Sequence, residues 1–228
     1  MHSLVPWIVS LGLAGASATP FTLPLDRTDG LQAVASKTDR GPEVVTFAGR
    51  KAVRATQVEA PDTQAVSSAL LLLVPGVEFT DGTIEVDVVG RPRAGAPPDV
   101  RGFIGVAFRV QGEAERYECF YIRQTNGRAD DQLRRNHSTQ YVSEPEWSWK
   151  RLRDEFPGVY ESYVDLALDT WTHLRIHVAG TRAELYVGNA AQPVLIVKDL
   201  RHGLAHGRVG LWVGSDTEAY FSQLKISR

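Results

Sequence analysis

Thr172-His173-Leu174-Arg175-Ile176-His177-Val178 alternates apolar and polar residues without a break. In an extended chain successive side chains point to opposite faces, so Leu174, Ile176 and Val178 face one way and His173, Arg175 and His177 the other. That pattern predicts a strand in a sheet covered on one side only. Ala179-Gly180-Thr181-Arg182 follows as a hairpin turn, and Ala183–Val187 as its return strand, with Gly188-Asn189 beginning the next reversal.

Working outward, the same rhythm recurs along the chain. Strands are expected at Val44–Ala55, Ser68–Val74, Gly82–Val89, Phe103–Val110 and Arg116–Arg123, and again at Trp171–Val178, Val194–Leu200, Gly207–Val213 and Ala219–Ile226. Short extended runs set off by Gly, Pro and Asn are the mark of a sandwich or barrel. Arg91 to Pro98, rich in Pro and Gly, reads as an exposed loop, and no internal repeat or low-complexity tract interrupts the series. From Gln124 to Leu166 the strand pattern lapses, with one or two helical turns expected around Trp149 to Phe156. The stretch carries Trp147, Trp149, Phe156, Tyr160 and Tyr163, too many aromatic residues for a disordered segment. It is expected to be an ordered insertion at 124–166 that covers part of a sheet.

Composition narrows the function classes. The 228 residues are 43% hydrophobic and 23% charged, with a formal net charge of -2. This suits one large all-β domain able to bury roughly 70% of its unfolded surface. No basic stripe stands ready to displace counterions, which argues against nucleic acid as a partner. Cys119 is the only cysteine, so no intrachain disulfide can form, and its place in a strand marks it as a packing residue.

The first residues read differently. Leu4 to Ala14 is apolar, and Ala16-Ser17-Ala18 offers a small-x-small cleavage site. Residues 1–18 therefore read as a secretory signal peptide before a domain at 19–228, although His2 is the only basic group in the leader; the alternative is a buried first strand. The stretch is too short and too broken by Pro6, Gly12 and Gly15 to span a membrane, and no later stretch approaches one. A secreted or periplasmic protein with no membrane span in its mature chain is expected.

Three segments together carry a resemblance. They are Phe79-Thr80-Asp81-Gly82-Thr83-Ile84-Glu85-Val86-Asp87, then Gly102–Arg109 with Tyr117–Arg123, then Trp171–Ile176, Ala183–Val187, Gly207–Trp212 and Ala219–Ile226. In this order they resemble the concanavalin A-like lectin/glucanase superfamily over residues 21–228. Within it the chain is similar above all to the 3-keto-disaccharide hydrolase domain family. The resemblance implies an all-β, two-sheet jelly-roll sandwich that binds carbohydrate and cleaves a glycoside, or, alternatively, a non-catalytic lectin-like or laminin G-like glycan-binding module. The chain departs from glucanases with a Glu-x-Asp-x-x-Glu strand, because Gly90 stands where the second Glu would follow Glu85 and Asp87. That mechanism is not carried over.

Alternation also assembles a candidate groove from distant residues. With Ile84, Val86 and Val88 inward, Glu85 and Asp87 face out; with Ile104, Val106 and Phe108 inward, Arg109 faces out beside Gly105 and Ala107, which leave room for a ligand. Tyr121 and Arg123 alternate with Phe120 and Ile122, and Trp212 with Val209, Leu211 and Val213. Aromatic rings stack on pyranose faces, and Arg, Asp and Glu bond sugar hydroxyls. Expected substrate-binding residues are thus Arg109, Tyr121, Arg123, Asn126, Gln132, Arg134, Tyr141, Trp147, Trp149 and Trp212, with Asp130, Asn136 and Gln140 at the groove's edge. Glu85, Asp87 and Glu118 are candidate acid–base groups, and His137 is another because its ordinary pKa near 6.5 suits proton transfer. The competing reading of Glu85, Asp87 and Arg109 is a cross-strand ion pair on a solvated face.

From Arg123 to Arg153 there are seven Lys or Arg against four Asp or Glu, a rim that would favour acidic or oxidised sugars. No nucleophile elbow, phosphate loop or dinucleotide fingerprint is present. No cofactor is expected. Loop carboxylates hold a cation such as calcium in many jelly-roll lectins, but Asp130-Asp131 is not spaced like a calcium loop and nothing in the sequence demands a metal.

Overall fold

A computed structural model describes residues 19–34, 41–58 and 69–228. The expected signal peptide at 1–18 lies outside the described residues, as does Ser68. The chain folds as two antiparallel sheets packed face to face, the expected sandwich.

The chain first gives β1 (Phe21–Leu23), β2 (Gln32–Val34), β3 (Glu43–Phe47), β4 (Arg50–Thr56), β5 (Leu70–Phe79), β6 (Gly82–Pro92), β7 (Phe103–Gln111) and β8 (Arg116–Arg123). A 3-10 turn at Gln124–Asn126 and a short helix α1 (Gln132–Asn136) lead into β9 (Thr139–Glu144), then α2 (Trp149–Glu155) and β10 (Glu161–Ser162). The last strands are β11 (Thr172–Ala179), β12 (Arg182–Val187), β13 (Leu195–Val197), β14 (Gly207–Val213) and β15 (Thr217–Ser227). One sheet runs β13-β12-β11-β6-β15-β4-β3, with β1 also on β15; the other runs β10-β9-β8-β7-β14-β5-β2.

The inner faces carry the apolar members of each alternating run. Ile84, Val86, Leu174 and Ile176 come from the eight-stranded sheet, and Ile104, Val106, Phe120, Ile122 and Leu211 from the seven-stranded one; none of them is exposed. Each such side chain contributes about 1.5–3 kcal/mol by leaving water, which is what fixes the strand registers.

Two expectations need correction. Val44–Ala55 is two strands, because Ala48 and Gly49 both adopt positive φ (45° and 78°) and close a two-residue turn between β3 and β4. The insertion is also not free of strands. β9 pairs with β8 through the whole stretch from Tyr117↔Glu144 to Ile122↔Thr139 and is buried throughout. Its core face holds Thr139, Tyr141 and Ser143 and its outer face Gln140, Val142 and Glu144, so it lacks the apolar alternation that reveals a strand. The helical turns fall where expected, in α2.

Candidate functional site

The seven-stranded sheet's outer face is organised around a glycine. Gly105 on β7 lies in register with Trp212 on one side and Tyr121 on the other. A Cβ at Gly105 would sit 2.1 Å from the Phe120 carbonyl oxygen and 2.6 Å from Tyr121 Cα. With no side chain between them, the Tyr121 and Trp212 rings close over the glycine and stack at 4.7 Å. The space expected for ligand at this position is therefore taken by protein. Phe103 meets Tyr121 edge-on at 6.3 Å, and Trp212 Nε1 donates to Tyr117 Oη at 3.3 Å.

Beside this stack a groove of about 330 Å³ opens, lined by Asp99, Arg101, Phe103, Tyr121, Arg123, Asn126, Arg134, His137, Trp149 and Arg153. Arg123, the last residue of β8, lies almost wholly buried at its base. Its Nη1 donates to the His137 carbonyl (2.9 Å), and its Nη2 to Tyr121 Oη (3.0 Å) and Gln140 Oε1 (3.1 Å). Gln140 is itself fixed by donating to the Tyr141 and Tyr160 carbonyls. Burial lowers the Arg123 pKa and pushes the Tyr121 phenol up to about 12, so Tyr121 remains a neutral hydroxyl.

Helix α2 forms another wall. Ser148 caps it by accepting from the Arg151 amide, and buried Leu152 anchors it. Arg153 lies 5.0 Å from the Trp149 ring centroid and donates to both oxygens of Glu161, through Nε at 3.1–3.2 Å and Nη2 at 2.7 Å. Glu161 on β10 is opposite Gln140, which places it on the same sheet face as Tyr121. Its Oε1 also lies 3.2 Å from His137 Nε2. Burial lowers the His137 pKa while the Glu161 charge works against that. Asn126 Nδ2 donates to the His137 carbonyl, but Asn126 Oδ1 is buried with no partner among the described residues, as is Arg134 Nε.

Of the residues expected from sequence, Tyr121, Arg123, Asn126, Arg134, His137 and Trp149 meet in this groove. Trp212 supports it through the ring stack. The others lie elsewhere. Glu85 and Asp87 are on β6, in the other sheet, so no single groove gathers them with Arg123. Asp87 bonds Arg50 at 2.7 Å and His173 at 2.8 Å, and Glu85 bonds Lys225 at 3.1 Å, which is the cross-strand pairing of a solvated face. Alternation assigns outwardness correctly but does not say in which sheet.

Arg109 is a different correction. A bulge between Phe108 and Gln111 and a φ of 53° at Arg109 break the alternation there. The side chain is wholly buried and clamps three loops, donating to the carbonyls of Thr80 (3.0 Å), Gly180 (2.7 Å) and Gly203 (2.9 Å) and pairing with Asp81. Glu118 and Tyr141 share the core face of β8 and β9. Tyr141 Oη donates to Glu118 at 2.5 Å, and Glu118 also accepts from the His202 amide. Gln132 is exposed on α1, bonded to Asn136. Trp147 is sandwiched by Arg151 at 3.7 Å and Arg201 at 4.6 Å and packs against Phe156.

Sequence reading missed Asp99, Arg101, Phe103, Arg153 and Glu161. The basic excess of the insertion already included Arg153, but nothing marked Glu161 as its partner. Glu144 was also missed. It faces out beside Tyr117, its Oε2 is buried without a partner, and burial followed by the Glu146 charge raises its pKa to about 7. Among the described residues no group of three or more His, Cys, Asp or Glu is placed to hold a metal, and no helix is long and apolar enough to cross a membrane.

No family model matches the chain, and no curated protein does. Solved structures do match. A Bacillus subtilis protein of unknown function with a galectin-like fold superposes with a TM-score of 0.57 at 10% identity, covering 91% of this chain and 94% of the other. The carbohydrate-binding module CBM66 from Bacillus subtilis gives 0.52 at 16% identity, covering 82% and 92%. A prokaryotic β-1,3-1,4-glucanase (lichenase) derived from a mouse hindgut metagenome gives 0.52 at 12% identity, covering 91% and 98%. At these identities the likeness speaks to architecture alone. The two stacked sheets form a jelly-roll β-sandwich, the architecture these structures share.

Proposed function

We propose that this chain is a carbohydrate-binding protein that holds a saccharide in the groove beside Tyr121 and Arg123. The observation that carries the reading is the lining itself: aromatic surface from Phe103 and Trp149, with buried Tyr121 beneath, shares one opening of about 330 Å³ with guanidinium groups from Arg101, Arg123, Arg134 and Arg153. Rings offer the apolar contact that pyranose faces need, and fixed guanidiniums offer bidentate bonds to oxygen pairs. The volume falls at the small end of ligand sites, which run from about 300 Å³. That a carbohydrate-binding module and a glucanase share the architecture supports the reading.

Hydrolysis is the second reading, and one observation favours it. His137 Nε2 lies 3.2 Å from Glu161 Oε1 inside the groove, and a carboxylate that orients an imidazole is the arrangement of a general acid–base pair. Substrates of the 3-keto-disaccharide type are the class it would take. On this sheet the outward Glu161 and Glu144 are not placed as a glycosidase carboxylate pair. Glu144 and Gln140, the residue opposite Glu161, are separated by four strand residues, roughly 13 Å at about 3.3 Å per residue, whereas paired glycosidase carboxyls lie about 5–9.5 Å apart.

Calorimetry against a panel of oligosaccharides, with product analysis on the same mixtures that includes 3-keto disaccharides, tests both readings. Saturable binding lost in Trp149→Ala supports the groove. Release of monosaccharide abolished by both His137→Ala and Glu161→Gln would add catalysis. Binding unchanged in Trp149→Ala and in Arg134→Gln would place the ligand elsewhere.

A further inference from the structure

We infer that the saccharide is acidic, its carboxylate seated among Arg101, Arg123 and Arg134; this deepens the reading of the groove given above and rests on it. Four guanidiniums line the opening, and the carboxylates near them are few. Glu161 is occupied by both Arg153 nitrogens and by His137. Asp131 accepts from the Arg134 amide as the cap of α1, and Asp99 lies exposed at the rim.

Three arginines are left without a carboxylate bond among the described residues. Arg123 is 6% exposed, and all its acceptors are neutral oxygens. Arg101 Nη1 donates only to the Pro98 and Val100 carbonyls, at 2.7 and 3.3 Å. Arg134 Nε is buried with no acceptor. Removing a cation from water without a counter-charge is costly, and an incoming anion relieves that cost. Arg101 feels the other two charges: burial first and then the Arg134 charge lower its pKa, exposed Asp99 works against them, and the Arg123 charge lowers it further.

A bare inorganic anion does not complete the set. Asn126 is 3% exposed, its Oδ1 has no donor, and it lines the same cavity. An unpaired buried acceptor calls for a donor, which a hydroxyl supplies and a carboxylate or fully ionised sulfate does not. Arg134 Nε calls for an acceptor. One ligand meeting both needs beside the half-exposed Trp149 ring carries a carboxylate, hydroxyls and an apolar ring face together, which describes a uronic acid residue.

The test compares oligogalacturonate and oligoglucuronate fragments with the same preparations after carboxyl reduction, by calorimetry on the full chain. The uronates should bind about tenfold or more tighter than their reduced forms, the scale of a charge-assisted contact, and more weakly as salt rises. In the double variant Arg101→Gln/Arg134→Gln, which spares buried Arg123, that preference should fall to within about threefold while the melting temperature holds. Equal binding of acidic and reduced forms overturns the inference and leaves the saccharide reading standing. Uronate binding that the double variant does not alter overturns it too, by placing the carboxylate elsewhere. No binding of any glycan, acidic or neutral, removes both.

Discussion

The two outer faces of this sandwich are built by the same alternation and end in opposite electrostatic states. On the eight-stranded sheet the outward charges satisfy one another: Asp87 with Arg50 and His173, Glu85 with Lys225, Glu184 with Arg182. On the seven-stranded sheet Arg123 lies buried on neutral acceptors, while Asn126 Oδ1 and Glu144 Oε2 have no partner among the described residues. A face whose charges are paired needs nothing further. A face holding buried, half-satisfied polar groups gives up stability that a ligand can restore, and such groups mark functional sites more often than paired surface charges do.

The sharpest way to break the comparison is at the point where the second face is assembled. Gly105→Ala places a Cβ against the Phe120 carbonyl and the Tyr121 backbone, neither of which is a flexible group that can step aside. It should cost about 3 kcal/mol or more, the upper end of overpacking effects, and should reduce the near-ultraviolet dichroism of the Tyr121–Trp212 stack. Denaturant unfolding within 0.5 kcal/mol of the wild type, a bound set by ordinary surface changes, would mean the rings do not depend on the glycine.

Glu144 gives the next largest effect and a pH signature. Its carboxyl titrates at about 7 rather than 4.5, because burial and then the Glu146 charge penalise the ionised form. The folded chain therefore holds this proton more tightly than the unfolded chain. Wild-type stability should fall as pH rises from about 4.5 through about 7, and the loss should be complete above that. Glu144→Gln should lack this fall and at pH 8 should exceed the wild type by roughly 3 kcal/mol, from a shift of about 2.5 units at about 1.4 kcal/mol each. Parallel stability–pH curves for the two proteins would show that Glu144 ionises freely.

Trp149→Ala probes the groove with little risk to the fold, since the ring is 45% exposed at the start of α2. It should weaken saccharide binding about tenfold, one aromatic contact of about 1–1.5 kcal/mol, and leave the melting temperature nearly unchanged. Trp147→Ala should behave in the reverse way. Its ring is held between Arg151 and Arg201, outside the groove lining, so its loss is structural.

How much of this was legible in the sequence follows from what alternation can encode. Leu174, Ile176, Val106 and Phe120 announce strands because one of their faces is purely apolar, and the sandwich follows from them. Tyr121, Arg123 and Trp212 were assigned to the right face by the same rule. It failed at Arg109, where a bulge and a positive φ turn the side chain into the molecule. At Glu118 the rule itself points inward, in step with Phe120 and Ile122, and the carboxylate does lie on the core side, buried by its bonds to Tyr141 and the His202 amide. The missed residues Arg101, Arg153 and Glu161 sit in a loop, a short helix and a two-residue strand, where no periodicity exists to read. Strand neighbours are long-range facts. Nothing local distinguishes Glu85 from a groove residue, because the sheet that receives β6 is decided by pairing with β11 and β15, far along the chain.

The smallest expected effect tests the first face. Asp87 sits below its usual 3.8: burial pushes it up, but the His173 hydrogen bond and the charges of His173 and Arg50 more than offset that. His173 lies above its usual 6.5, raised by the Asp87 bond against burial and then by the Asp87 and Glu85 charges. A depressed carboxylate stabilises above about pH 4 and loses that as pH falls through its folded value. A raised imidazole stabilises below about 6.5 and loses that as pH rises through its folded value. The pair therefore contributes most between about pH 4 and 6.5. With the His173 side chain 38% exposed, solvent screening holds that contribution under about 1 kcal/mol. Asp87→Asn should cost less than about 1 kcal/mol at pH 5.5, less still at pH 8.5 where Arg50 is the remaining cation, and should leave saccharide affinity unchanged within about twofold. A tenfold loss of binding in Asp87→Asn, with the fold intact, would mean that the eight-stranded sheet carries the site and that the contrast between the faces has been drawn the wrong way round.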